Sequence, residues 1–163
     1  MNIIIVGCGR VGQTLAENLN NDGNDVTVVD LSPAKVKDIT DRVDVMGVIG
    51  NGATHSTLQE AGISNADLFI AVTDSDELNL LCCMIAKKEG DCDTIARVKS
   101  PEYSEEAPYL KEQLGLAMVI NPQFAAAEEI ARVMRFPTAI KVEPFAKGRV
   151  RLIKFKDPSV IAR

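Results

Sequence analysis

Two hydrophobic periods alternate along this chain. Short runs rich in β-branched residues carry apolar side chains at successive positions: Asn2–Val6, Asp25–Asp30, Val45–Ile49, Leu68–Val72, Thr94–Val98 and Ala117–Ile120. Strict in–out alternation marks a strand with one wet face. Successive apolar positions mark strands covered on both faces, the situation of a parallel sheet. Between these runs the period lengthens to that of a helix. Val11–Asn21 places Val11, Leu15, Ala16 and Leu19 on one stripe. The pattern also predicts a helix over Pro33–Arg42, with Ser32 as N-cap and Pro33 at the first helical position. A short helix over Ser56–Ala61 stops at Gly62, and the longest, Asp76–Glu89, is ended by Gly90. A helix over Ser104–Leu114 has its regular part starting near Pro108 and ends at Gly115.

Parallel neighbours cannot be joined by hairpins, so strand–helix–strand repetition imposes right-handed crossovers. The predicted fold is α/β: a Rossmann-like, doubly wound sheet of six parallel strands in the order 3-2-1-4-5-6.

The pattern changes after Ile120. Pro122–Arg135 predicts one more helix whose apolar residues (Phe124, the alanines 125–127, Ile130, Ala131, Val133 and Met134) spread around much of its surface. Such a helix is expected to be buried on more than one side, which in a late position points to a partner surface. Phe136-Pro137 breaks it. Two strands, Ala139–Phe145 and Arg149–Phe155, are expected around an Ala146-Lys147-Gly148 turn, with Pro144 confining the first to an edge. The expected organisation is a nucleotide-binding domain over 1–136, including the late helix, and a β-hairpin linker over 137–163. A lone hairpin is marginal in water, so the chain reads as one whose next domain begins beyond Arg163.

The first strand runs directly into Gly7-Cys8-Gly9-Arg10-Val11-Gly12, a Gly-x-Gly-x-x-Gly loop opening a helix. Gly7 permits the tight turn, Gly9 lets backbone approach a pyrophosphate, and Gly12 lets the helix pack close to the sheet. Free amides and the positive dipole end of the helix favour an anion there. Asp30 closes the second strand eighteen residues after Gly12. A carboxylate there accepts hydrogen bonds from an adenosine ribose and repels a 2′-phosphate. Neither Leu31 nor Ser32 brings a cation, so NAD or another unphosphorylated adenosine ribose is favoured over NADP.

Other candidates follow the C-terminal ends of strands, where such sheets bind ligands. Gly50-Asn51-Gly52-Ala53 is small enough to approach a flat adenine, although an ordinary Asn-Gly turn would read the same. Thr73 and Asp74 face the second half of a ligand in this reading, with Asp76 as a helix cap. Arg10 and Arg97 are placed to pair with phosphate oxygens.

Charge and composition narrow the classes. The net charge of −5 lacks the basic footprint of a nucleic-acid binder. No apolar run approaches a membrane span and no signal peptide precedes the first strand, so a cytoplasmic chain is expected. The four cysteines, Cys8, Cys82, Cys83 and Cys92, form no Cys-x-x-Cys pair, and there is one histidine, His55. They read as buried thiols and a surface or capping side chain, with no metal site. No Ser-x-x-x-Tyr-x-x-x-Lys or Gly-x-Ser-x-Gly arrangement is present. A dehydrogenase needs an acid or base beside its nicotinamide. An NAD-dependent oxidoreductase fragment is therefore the lesser alternative to a non-enzymatic nucleotide binder.

Taken together, the glycine loop, Asp30, Gly50–Ala53, Ala71–Asn79 and Ile95–Val98 resemble the RCK (KTN, or TrkA-N) domain family. The resemblance covers about residues 1–137. It implies a regulatory domain of potassium channels and transporters that binds NAD(H), ATP or ADP without consuming it. By motif position Gly7, Cys8, Gly9, Arg10, Val11, Asp30, Thr73, Asp74 and Arg97 would line the nucleotide; the candidate site is completed by Gly12, Leu31, Asn51, Gly52 and Ala53. Many members carry an acidic residue where this chain has Asn51. The resemblance further implies a homodimer through helix 122–135, ring assemblies of dimers, and a membrane potassium transporter or channel subunit as partner. The chain would then sit in the cytoplasm, peripheral to the inner face of the cell membrane.

Overall fold

The computed structural model describes residues 1–134, together with the backbone alone of residues 135, 139–145 and 150–155. The chain divides into two compact units, Met1–Pro122 and Gln123–Arg163.

The first unit is a six-stranded parallel sheet in the order β3-β2-β1-β4-β5-β6, as the periodicity predicts. Its strands are β1 (Asn2–Val6), β2 (Asp25–Asp30), β3 (Met46–Ile49), β4 (Leu68–Ala71), β5 (Asp93–Arg97) and β6 (Met118–Ile120). Its helices are α1 (Arg10–Asn21), α2 (Pro33–Thr40), α3 (His55–Glu60), α4 (Asp76–Gly90), α5 (Pro101–Glu105) and α6 (Ala107–Leu114). Successive residues of the central strands serve opposite cores. Ile3, Ile5, Val26, Val28 and Ile70 pack with Ala16, Leu15 and Leu19 of α1 and with Val36 and Ile39 of α2. Ile4, Val6, Phe69, Ala71 and Ala96 pack with Leu58 of α3 and with Leu80, Cys82, Cys83 and Ala86 of α4. Burial on both faces is why these strands read as continuous apolar runs.

The chain winds outward from β1 to β3, then crosses back to β4 beside β1. The following helices, α1 and α4, lie on opposite faces, so the connections that leave the paired carboxyl ends of β1 and β4 turn to opposite sides of the sheet, with a crevice above those ends. This is the topological switch point at which open α/β sheets take ligands.

Several local expectations are corrected. Gly90 does not end α4; it is its last helical residue, and Asp91 takes the left-handed turn (φ 49°). Gly90 is required for space instead, since a Cβ there would stand 2.4 Å from the Ile63 carbonyl oxygen. Ser32 occupies the N-cap position of α2 without a side-chain capping bond. Ser75 does cap α4, its Oγ accepting from the Leu78 amide at 3.1 Å. The connection before β6 holds two helices, not one. Ser100 caps α5 and Pro101 opens it, whereas Pro108 falls in the first turn of α6 after the break at Glu106.

In the second unit the late helix, α7 (Pro122–Arg135), forms over the expected residues. Strands β7 (Ala139–Phe145) and β8 (Val150–Phe155) pair antiparallel. The breaking pair Phe136-Pro137 and the turn 146–148 lie outside the described residues. In a single chain Phe124, Ile130 and Met134 of α7 are 58%, 65% and 76% exposed. No helix among the described residues is long and apolar enough to cross a membrane.

Candidate functional site

The three loop glycines meet three different surroundings. Gly7 adopts φ 105°, a conformation that favours glycine, and a Cβ there would be 2.9 Å from the Thr73 amide nitrogen. The turn is thereby pressed against the end of β4. Gly12 sits where a Cβ would be 1.8 Å from the Gly7 carbonyl oxygen, so α1 and the turn touch through bare backbone. Gly9, at the N-cap of α1, has ordinary extended backbone, and a Cβ on it would stand in open space. Two glycines are thus explained by the protein's own packing. Gly9 packs against nothing in the protein, and as the N-cap of α1 it holds a position that glycine favours.

Asp30 ties the loop down. Its Oδ2 accepts from the Cys8 amide at 2.8 Å and its Oδ1 from the Ser32 amide at 2.9 Å. With the Gly7 amide donating to the Val29 carbonyl at 2.8 Å, the turn after β1 is fastened to the end of β2. The carboxylate keeps further lone pairs, because each oxygen accepts more than one bond. Lys35, in the first turn of α2, lies 4.0 Å from Asp30 Oδ2. The sequence reading found no cation near Asp30; this one arrives one helical turn later. Cys8 is buried beside the carboxylate, and burial, reinforced by the Asp30 charge, pushes its thiol up to about 12. It is a packed neutral thiol, not a nucleophile. Cys82, Cys83 and Cys92 are likewise free and buried. Leu31 and Arg10 are exposed at the mouth, Arg10 without an ion pair or hydrogen bond among the described residues. Val11 is half exposed on the first turn of α1.

Across the loop, the ends of β4 and β5 are locked by Asn79, a fully buried residue of α4. Its Oδ1 accepts from the Thr73 amide and the Thr73 hydroxyl at 2.8 and 2.7 Å. Its Nδ2 donates to the Thr73 and Arg97 carbonyls at 3.2 and 2.8 Å. The Arg97 guanidinium is held from below: one Nη donates to the Thr73 carbonyl at 2.6 Å, while its buried Nε has no partner among the described residues. Asp74 is 91% exposed, and its Oδ1 lies 3.6 Å from the Arg97 guanidinium and 3.1 Å from Lys99 Nζ. The hydrogen bond from Lys99, its charge and that of Arg97 hold the Asp74 carboxyl below its ordinary range. The expectation that Asp76 caps α4 is corrected, since Ser75 takes that role. Asp76 is buried and accepts the Lys99 and Ser100 amides, both at 2.8 Å, fixing the path after β5.

The third flank is the turn after β3. Asn51 Oδ1 accepts from the Ala53 amide at 3.0 Å, so this Asn-Gly turn is self-bonded. Gly52 is buried, and a Cβ there would lie 2.4 Å from Val6 Cγ1. His55 is exposed and pairs with Glu89 at 2.8 Å, outside the crevice. Among the described residues no group of three His, Cys, Asp or Glu side chains is placed to hold a metal ion.

The expected residues therefore gather around one crevice. Asn79 and Lys35 are not legible as site residues in the sequence. A buried asparagine one turn into a helix and a lysine in the first turn of another carry no signal until the strand ends are brought together.

A glycine-rich turn between β1 and α1, an acidic residue ending β2 and a crevice at the switch point define a Rossmann-type domain. Residues 3–122 match the family model of the TrkA-N domain, and the chain belongs to that family. It is 39% identical over 162 residues to "Trk system potassium uptake protein trkA homolog 1" of Methanosarcina mazei, covering 95% of this chain and 39% of that protein. The chain thus spans little more than a third of the length of this relative. Among solved structures it is similar to the TrkA-N domain of the inner membrane protein ybaL from Escherichia coli, at TM-score 0.68 and 28% identity. That match covers 82% of this chain and 93% of the other. It also shares its fold with the GsuK channel bound to NAD, at TM-score 0.63 and 23% identity, over 73% of this chain and 21% of that one.

Proposed function

We propose that this domain binds an adenosine nucleotide, NAD(H), ADP or ATP, in the crevice between β1 and β4, and acts as the regulatory part of a potassium-uptake system. The observation that carries the reading is Gly9. Its space is unused by the protein, it lies at a helix N-terminus, and it neighbours a carboxylate fixed for ribose hydroxyls. In this reading Gly7, Cys8, Gly9, Arg10, Val11 and Gly12 receive the phosphates. Asp30 and Leu31 take the adenosine ribose, Asn51, Gly52 and Ala53 border the adenine, and Thr73, Asp74 and Arg97 meet the distal half. The relatives' naming as potassium-uptake proteins, and a structural neighbour described as bound to NAD, support both halves of the proposal. The ligand acts as a signal, not a hydride donor. A signal must bind two geometries of the protein unequally to shift them.

Calorimetric titration with NAD, NADH, ADP and ATP tests the binding. At least one is expected to bind, and failure of all four overturns the reading. Asp30→Ala is expected to weaken binding about tenfold or more, because it removes the ribose acceptor and frees the Cys8 amide from its tether. Unchanged affinity in that variant shows the ribose is held elsewhere.

The same reading makes α7 the surface of a homodimer. Its exposed Phe124, Ile130, Val133 and Met134 form an apolar surface of the kind that marks association sites. Dimers then assemble into a ring on the cytoplasmic side of a membrane potassium transporter or channel. Light scattering is expected to give a dimer or larger species. A monomer at high protein concentration sinks this part of the proposal.

A further inference from the structure

The cations facing the distal half of the crevice are already engaged by an anion of the protein itself. Asp74 Oδ1 lies 3.1 Å from Lys99 Nζ and 3.6 Å from the Arg97 guanidinium. Lys99 Nζ also reaches the Asp74 carbonyl at 3.3 Å. The charge of Lys35 is felt at Asp74 as well as at Asp30. The two acidic residues stand on opposite sides of the glycine turn. Asp30 is bonded to the Cys8 amide, and Asp74 follows Thr73, against whose amide Gly7 is pressed. In the nucleotide reading, a ligand with its adenosine ribose on Asp30 and its phosphates on the turn runs on toward Thr73 and Asp74.

The identity of that next group differs among adenosine nucleotides. In a dinucleotide the pyrophosphate is capped by a second ribose, whose hydroxyls donate to a carboxylate. In ADP or ATP the chain ends in an unesterified phosphate, which carries extra negative charge and has no hydroxyl to give beyond it. We propose that Asp74 is a built-in competitor for the Arg97–Lys99 pair, and that it sets the domain's preference for dinucleotides over nucleotides ending in a free phosphate. The inference rests on the nucleotide reading above. Arg97 is buried to 11% side-chain exposure and is fixed by Thr73, whereas Asp74 is 91% exposed. The cation stays while the competing carboxylate is free to swing away. An ion pair this exposed is weak, so it biases the choice without closing the site.

Asp74→Asn tests this directly, because it keeps the shape and one acceptor oxygen while removing the charge. In the full chain, affinities for ADP and for NADH are measured by calorimetry for wild type and variant, with a thermal melt to check folding. ADP is expected to bind about three- to tenfold tighter in the variant, as repulsion is lost and Arg97 and Lys99 are released. NADH is expected to bind about threefold more weakly, as a charged acceptor becomes neutral. A shift of the ADP-to-NADH affinity ratio toward ADP of about threefold or more upholds the inference. A smaller shift, or one toward NADH, overturns it while leaving the nucleotide reading intact. A wild type that binds neither ligand, nor NAD or ATP, removes both.

Discussion

Asn79→Leu is expected to destabilise the domain by about 4 kcal/mol and to lower its melting temperature by about 10 °C or more. Leucine keeps the branched four-atom skeleton of the asparagine side chain but has no polar atom, so the hydrogen bonds are lost while the shape is roughly kept. Four bonds disappear together: two accepted from Thr73 and two donated to the Thr73 and Arg97 carbonyls. The groups left behind are part-buried at the junction of β4, β5 and α4, and of them the Thr73 hydroxyl and carbonyl keep bonds to the Ser75 carbonyl and to Arg97. Each unsatisfied buried group costs about 1–3 kcal/mol, and small domains have only about 5–15 kcal/mol of net stability. Thermal and urea unfolding check the prediction. Nucleotide affinity should fall in the same variant, since Asn79 sets both Thr73 and the backbone under Arg97. A loss below about 1 kcal/mol would mean that water replaces the amide in full.

The second large effect separates two glycines of one loop. Gly12→Ala forces a Cβ to within 1.8 Å of the Gly7 carbonyl oxygen, a contact that only a shift of backbone can relieve. Either α1 lifts from the sheet or the turn deforms. Overpacking of this kind costs about 1–3 kcal/mol, and the amides proposed to receive the phosphates move with it. Both stability and nucleotide binding are expected to fall, binding by about a hundredfold or more. Gly9→Ala behaves differently. Its backbone suits any residue and its Cβ meets nothing in the protein. Stability should stay within about 0.5 kcal/mol of wild type. Binding should still be lost, because the methyl group occupies the approach to the turn. Melting and calorimetry on the two variants read the contrast. If Gly9→Ala binds as well as wild type, phosphates do not cross this position.

Much of this was legible in the chain itself. Apolar runs such as Ile3–Val6 and Val26–Val29 are continuous because both sheet faces are covered, and that burial leaves its mark on every strand. The glycine loop and Asp30 are separated in sequence by one helix and one strand, a span set by the geometry of a single βαβ unit, so they could be paired by counting. Helix ends were less legible. Gly90 looked like a stop, yet its lack of a side chain serves contact with Ile63, a long-range constraint that no local pattern carries.

Fold class, strand order and the position of the glycine loop follow from periodicity and from spacings within consecutive elements, so the chain carries them on its own. How the distal half of the crevice is built depends instead on contacts between distant segments. Asn79 becomes a lock, Asp76 a backbone anchor and Asp74 a counter-ion only when β4 and β5 lie side by side. Hydrogen bonds and ion pairs act over about 3 Å, and residues 18 to 25 positions apart in the chain come within that reach only through the fold.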